Sequence, residues 1–284
     1  MKQFSFTKLS GAGNDFILFD TKINPELKFS SEQIKKLCDR QNCIGADGIL
    51  LISDSDGHDF ELKYFNADGS TGALCANGTR CGIKYAYSTG KFSGTKTTFI
   101  SNGIIYSGEM IGEDKVKLYF NPPSKIKRNF KLKAAGQLIN AGYVDPGGPH
   151  VVIEVKDVLL DSKNPKRFFE SLDDFPVYDL GKEIRYHKDF APHGTNVNFI
   201  EVHNSEIYIR TYERGVENET LACGTGSVAA AIITQDKYNL TLPVSLTTRS
   251  GEKLEVNFND NNGIIEDLTL IGPAIVTFKG EITI

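Results

Sequence analysis

The chain carries one seven-residue pattern twice, as Ala73-Leu74-Cys75-Ala76-Asn77-Gly78-Thr79 and as Leu221-Ala222-Cys223-Gly224-Thr225-Gly226-Ser227. Each copy reads cysteine, small residue, polar residue, glycine, hydroxyl residue, and each opens a stretch with helical signals. The two cysteines stand 148 positions apart in a chain of 284 residues. A spacing of half the chain points to two equivalent lobes rather than to a short solenoid repeat. Alternating segments such as Val116-Lys117-Leu118-Tyr119-Phe120, Glu206-Ile207-Tyr208-Ile209-Arg210 and Lys253-Leu254-Glu255-Val256 predict half-buried strands. Helices are predicted from Ser31 to about Asp39 behind a serine cap, from about Asn77 to Ser88 with a stop at Gly90, and from about Gly224 to Lys237. A weaker helix is predicted after Pro165 through Leu172, since proline suits a first turn. Sheet dominates, in an α+β pattern rather than a βαβ repeat. Pro122-Pro123 breaks a strand-like pattern near the middle and reads as the linker.

Composition narrows the function classes. Hydrophobic residues make up 40% and charged residues 24%, which excludes collagen-like, low-complexity and wholly disordered chains. A net charge of −4 argues against nucleic acid as the main partner. No stretch approaches the roughly 20 apolar residues that span a bilayer, and the first residues lack the apolar run of a secretion signal, so the expected location is cytoplasmic. The cysteines, at 38, 43, 75, 81 and 223, are odd in number and show no C-x-x-C spacing. The histidines form no ligand pair with them, so thiols are expected and no metal. Cys81, inside a predicted helix, and Cys38 read as packing residues.

Cys75 and Cys223 have a different context. Each precedes a glycine-containing turn that opens into a helix, which places its sulfur near unpaired backbone N–H groups and the positive end of the helix dipole. Such a position favours the thiolate. The same N–H groups bind anions, so a carboxylate on the reacting carbon could be clamped at the helix mouths. With the lobes facing each other, one thiolate removes the proton beside that carboxylate and the opposite thiol returns one to the other face. Backbone donors would stabilise the carbanion as an oxyanion hole does, and no cofactor is required. Neither a G-x-G-x-x-G nor a phosphate-loop motif is present, and no lysine stands out as a pyridoxal phosphate carrier.

With both cysteine segments in view, the sequence resembles the diaminopimelate epimerase family. The resemblance runs over nearly the whole chain. It rests on Lys8-Leu9-Ser10-Gly11-Ala12-Gly13-Asn14-Asp15-Phe16, Gly45-Ala46-Asp47-Gly48, Phe65-Asn66-Ala67-Asp68-Gly69-Ser70 leading to Cys75, Gly148-Pro149-His150, Thr195-Asn196-Val197-Asn198-Phe199, and Tyr212-Glu213-Arg214-Gly215 leading to Cys223. The resemblance implies two pseudosymmetric lobes, each a mainly antiparallel sheet wrapped around a central helix, with the active site in the cleft between them. The lobes would be residues 1–121, joined by 276–284, and residues 122–275. It implies a homodimer and the interconversion of LL- and meso-diaminopimelate without cofactor. Cys75 and Cys223 would be the two acid/bases, with His150 and Glu213 beside the reacting centre. Backbone groups at Ala76, Asn77, Gly224 and Thr225 would hold the α-carboxylate, and Asn14, Asn66, Asn196 and Arg214 would recognise the distal amino-acid head.

Some departures are specific. Some relatives carry Gln at the position of Gly48 and Asn at that of Gly148; Ala76 replaces a common glycine, and the stretch from Glu213 to Cys223 is one residue longer than in some members. Cys43 has no assigned role. Other readings weighed against this one are a proline-type racemase of the same superfamily, a non-catalytic carboxylate binder, and a cysteine hydrolase using one thiol with a positioned histidine. Taken singly, each cysteine could be a buried small hydrophobe, His150 a hairpin residue, Glu213 with Arg214 an exposed ion pair, and each asparagine a turn former.

Overall fold

A two-residue turn at Ala12-Gly13, both in the left-handed region at φ 57° and 93°, folds β1 (Gln3–Gly11) back onto β2 (Asn14–Asp20). The computed structural model describes residues 2–71 and 74–284, so Ala73 of the first cysteine segment lies outside the described residues. The strand β2 is buried on both faces. Ile17 and Phe19 join the core under α1 (Ser31–Cys38), while Phe16 on the opposite face meets Gly78. Ser30 caps α1 in a reciprocal pair with Gln33.

From α1 the chain enters β3 (Gly48–Ser55), parallel to β2, and then the antiparallel β4 (His58–Asn66). A second crossover through α2 (Ala76–Ser88) reaches β5 (Lys96–Ser101), parallel to β4. The meander closes with β6 (Ile104–Met110) and β7 (Lys115–Tyr119), both antiparallel to their predecessors. Gly90, at φ +68°, stops α2 with its N–H bonded to the Tyr87 carbonyl.

The second half repeats this grammar. The hairpin β8 (Lys125–Ala134) and β9 (Gln137–Asp145) leads to β10 (His150–Glu154), antiparallel to β9. A crossover through α3 (Val177–Arg185) reaches β11 (Asn196–His203), parallel to β10. Next come β12 (Glu206–Glu213) and the short β13 (Asn218–Thr220), both antiparallel. A crossover through α4 (Gly224–Tyr238) then reaches β14 (Val244–Thr248), parallel to β12. The strands β15 (Lys253–Asn261) and β16 (Ile264–Pro273) follow, β15 pairing antiparallel with β14. Last, β17 (Ile275–Thr283) pairs antiparallel with β1 from Gln3 to Ser10, with a bulge between Lys8 and Leu9. The chain divides into two compact units, Met1–Phe120 with Ile271–Ile284, and Asn121–Leu270. Each unit is mainly antiparallel, yet each carries two βαβ crossovers, which the expected strand pattern had not included.

In each unit one helix is enclosed by its own sheet. The strands β1, β2, β3, β4, β6, β7 and β17 pack around α2; β9, β10, β11, β12, β14 and β15 pack around α4. This explains the composition of α4, which is apolar on every side: Val228, Ala229, Ala230, Ala231 and Ile232 are all fully buried. The small residues let strands approach closely, and each large one contributes roughly 1.5 to 3 kcal/mol by leaving water.

The helix predicted after Pro165 is absent. Asp161 and Asn164 accept from the N–H groups of Lys163 and Lys166, turns that compete with a helix, and Leu159 bridges Phe168 as extended chain. The helix forms instead after Pro176, where Val177, Leu180, Gly181 and Ile184 make a continuous buried face. The same proline rule holds there, supported by an apolar stripe that residues 166–172 lack.

Candidate active site

Both duplicated cysteines are helix N-caps. Cys75 precedes α2 with extended backbone (φ −91°, ψ 103°), and its sulfur accepts from the N–H of Gly78 at 3.5 Å. Cys223 precedes α4 (φ −125°, ψ 111°), and its sulfur accepts from the N–H of Gly226 at 3.4 Å. Serine, threonine or aspartate would cap either helix better, so cysteine here gives up capping strength in return for a sulfur held at a helix N-terminus. Cys223 is buried and Cys75 half-buried.

In the first unit Asn77 and Asn14 come together beside Cys75. Asn77 donates to Asn14 Oδ1, and Asn14 donates to Asp47 at 2.9 Å. At the other end Arg80 donates to Asn77 Oδ1 at 2.8 Å. Two amide dipoles thus line up between a carboxylate and a guanidinium, which fixes both amide orientations. Asp47 and Asp15 share Arg40, and Lys8 binds Asp15 at 2.8 Å. Burial pushes the Asp15 carboxyl up, but Arg40 and Lys8 outweigh it and hold it below the usual range. Asn66 is placed differently: its side chain donates to Ser70 Oγ at 2.9 Å and its N–H to the Ser70 carbonyl, so it shapes its own turn. A side chain at Gly48 would meet the Phe65 carbonyl and the Tyr64 ring at 2.5 Å, which explains why glycine stands there.

The second unit builds a relay behind Cys223. Thr225 Oγ1 lies 3.5 Å from the sulfur and 2.9 Å from Nε2 of His150. The first residue of β10, His150 pairs with Asn196 on β11. Two residues along β11, Asn198 donates to the Val151 carbonyl at 2.8 Å and accepts from Thr211 at 3.0 Å, which fixes its amide. Its nitrogen then faces His150 Nδ1 at 3.2 Å as a donor. An amide nitrogen also approaches Nε2, that of Asn196 at 3.5 Å, but the nearer Asn198 donor favours Nδ1 as the acceptor, with the proton on Nε2 toward Thr225 and the threonine hydroxyl able to donate to sulfur. Asn196 grips Pro149 and accepts the Arg214 N–H at 2.8 Å, so it positions Arg214 through the backbone. Glu213 accepts from Thr220 at 2.9 Å. Arg214 lines an open cavity of 580 Å³ with Lys125, Lys127, Asp145 and Asp189, a mixed setting with one more cation than anion in which the guanidinium offers a fork for a carboxylate. A Cβ at Gly148 would come no nearer than 3.8 Å to this arginine.

Burial, with a smaller contribution from Arg214, pushes the His150 imidazole down to about 3. The unfolded imidazole takes up a proton near 6.5, so unfolding binds a proton between those values and stability falls as pH drops through that window. His150→Gln should therefore flatten the acid limb of the urea midpoint, removing about 3 kcal/mol of pH dependence between pH 6.5 and 4. An unchanged slope would show that the folded protein already protonates this ring.

Sequence reasoning missed Asn198, Thr211 and Arg80. The first was within reach, since Asn196 and Asn198 are two apart on a strand and share a face. Cys81 and Cys38 are core residues, as expected, and burial pushes both thiols up to about 12.

Residues 6–125 and 142–274 match the family model described as diaminopimelate epimerase. A diaminopimelate epimerase of Chlorobaculum tepidum is 38% identical over 97% of this chain and 100% of its own length. Another from Aquifex aeolicus is 36% identical over 98% of this chain and 97% of its own. Among solved structures, a phenazine biosynthesis protein of the PhzF family from Bacillus anthracis superposes with a TM-score of 0.71 at 14% identity, covering 100% of both chains. That likeness concerns the fold alone. The sequence matches go further: this chain belongs to the diaminopimelate epimerase family and is an isomerase.

Proposed function

We propose that the protein interconverts LL- and meso-diaminopimelate by two-base proton transfer, with Cys75 and Cys223 acting on opposite faces of one α-carbon. The observation that carries this reading is the duplication itself: two thiols, each the N-cap of an enclosed helix, each accepting from the third backbone N–H. In this reading the lobes are residues 1–121 with 276–284 and residues 122–275, and the site lies in the cleft between them. One thiolate takes the α-proton and becomes a thiol. The carbanion's charge spreads into the carboxylate, held by N–H groups of Ala76, Asn77, Gly224 and Thr225. The other thiol gives its proton to the opposite face and becomes the thiolate, so configuration inverts and the protein ends one proton transfer from its starting form.

His150 and Glu213 flank the reacting centre, His150 acting through Thr225. Arg214 takes the distal carboxylate, aided by Asn14, Asn66 and Asn196. The chemistry requires neither pyridoxal phosphate nor metal, because the helix mouths supply the charge stabilisation. A homodimer in the cytoplasm completes the proposal. Among the described residues, no helix is long and apolar enough to cross a membrane.

Solvent-hydrogen exchange tests it. In D2O the reduced protein should introduce one deuterium at the α-carbon of diaminopimelate as the LL and meso forms equilibrate, and should leave free proline untouched. Absence of exchange, or preferential exchange into proline, would overturn the assignment.

A further inference from the structure

The helix α2 carries a fully buried arginine to which the reaction above gives no task. Arg80 is 0% exposed and stands five residues after Cys75. Helical side chains lean toward the N-terminus, and the guanidinium accordingly lies along the first turn. It donates to the Ala76 carbonyl at 3.3 Å, to Asn77 Oδ1 at 2.8 Å and to the Pro273 carbonyl at 3.4 Å. All three acceptors are neutral. A buried cation with no anion opposite it is strongly disfavoured, so the fold must provide a negative charge nearby when the protein is at work.

Among the described residues the candidates for that charge are few. Burial pushes the guanidinium down to about 10, which leaves it protonated at neutral pH, and the groups whose charge acts on it are Cys81 and Cys75. Cys81 is excluded as the anion, since its thiol is pushed up to about 12 by complete burial. Asp15 on β2 acts on Cys81 but is held by Lys8 of β1. Of the other charged groups near α2, Asp20 is paired with Lys91 at 3.0 Å and Glu109 with Lys117 at 3.7 Å, Asp47 is reached only through Asn77 and Asn14 and is held by Arg40, Asp59 on β4 accepts from Thr97 and Thr98, and Glu281 on β17 is exposed. Cys75 remains. The second unit offers no buried equivalent: the residue 148 positions on from Arg80 is Val228, fully buried, the group behind Cys223 is the neutral His150 reached through Thr225, and the cation that acts on that histidine, Arg214, is half-buried at an open cavity.

We propose that Arg80 is a positioning residue that makes Cys75, rather than Cys223, the sulfur that rests as the thiolate, its buried charge being balanced across the first turn of α2. The catalytic meaning of this asymmetry rests on the two-thiol reading; its test does not. In a two-base inversion the thiolate changes side with each turnover. A resting preference for Cys75 means that one direction starts from the resting protein, whereas the reverse must first move the charge to Cys223.

The test is the pH dependence of iodoacetamide alkylation, followed for each cysteine peptide by mass spectrometry without substrate. Cys75 is measured in Cys223→Ser and Cys223 in Cys75→Ser, which removes coupling between the thiols. The Cys75 midpoint should lie below that of Cys223. Adding Arg80→Met should raise the Cys75 midpoint by about one pH unit, slowing its alkylation about tenfold at neutral pH. In Cys75→Ser, the same change should leave the Cys223 rate within twofold. Arg80→Lys should recover part of the Cys75 shift, because charge is retained without the planar fork. An equal or inverted order of the two midpoints, measured without touching Arg80, overturns the proposal even if Arg80→Met does not fold. A folded Arg80→Met variant with an unmoved Cys75 midpoint also overturns it. If solvent exchange fails while these shifts appear, the epimerase reading falls and the Arg80 assignment stands.

Discussion

Serine in place of Cys75, or in place of Cys223, should lower epimerisation by on the order of 10³ to 10⁴-fold while leaving the melting temperature nearly unchanged. The two halves of this expectation come from the same geometry. Each cysteine is an N-cap whose sulfur accepts one backbone N–H, and a serine hydroxyl caps a helix at least as well. The helices therefore keep their starts. What the hydroxyl lacks is acidity, since a serine alkoxide is out of reach at neutral pH and a protonated hydroxyl is a poor base. Substrate affinity should stay within a few-fold, because in the proposed mechanism the carboxylate is held by backbone donors that the substitution leaves in place. Parallel measurement of kcat, KM and thermal unfolding checks all three. A variant retaining more than a tenth of wild-type turnover would exclude that cysteine as an acid/base, and a cysteine hydrolase would show the loss at one position only.

Gly226→Ala should be strongly disruptive in the second unit, at the relay behind Cys223. A Cβ at this position would stand 2.2 Å from Asn198 Oδ1 and 3.3 Å from the Cys223 Cβ. Asn198 cannot retreat without releasing Thr211, the Val151 carbonyl and His150 Nδ1 together. Overpacking and the lost hydrogen bonds together suggest about 3 kcal/mol of destabilisation, roughly 5 °C in a chain of this size. Turnover should fall as well, since the histidine loses the donor that fixes its tautomer. The matching change Gly78→Ala is a control with the same chemistry. There the new methyl would meet Leu50 at 3.1 Å and Phe16 at 3.3 Å, apolar groups able to shift, so about 1 kcal/mol is expected. Equal losses at the two positions would show that the asparagine, and with it the relay, is not what Gly226 protects.

Much of this organisation was legible in the sequence because it is local. A cysteine, a small residue and a glycine two further on announce a helix start whatever surrounds them, and both starts were found within a residue. Strands with one wet face, such as Glu206–Arg210, declare themselves by alternation. Those buried on both faces do not. Phe16 to Phe19 on β2 and Val151 to Ile153 on β10 are apolar throughout because helices or core cover both sides. For the same reason the parallel crossovers stayed hidden, being relations between distant strands. The two cysteines were singled out by their duplicated context, whereas Asn14, Asn66 and Asn196 were implied by the family resemblance, and Asn66 is held in its own turn. Arg80 was not singled out, because nothing in the order of residues distinguishes a buried arginine from one in water; only the enclosure of α2 by its sheet makes that charge matter.

The pairing of β17 with β1 has a consequence for how the chain is made. Residues 121–270 form a contiguous unit that can close as soon as it leaves the ribosome. The first unit cannot: β1 waits with one edge open, and α2 lacks part of its cover, until a strand encoded some 150 residues beyond the rest of that unit has been synthesised. The half of the protein translated first is therefore the half completed last, and through most of synthesis its exposed edge is the surface a chaperone would have to guard.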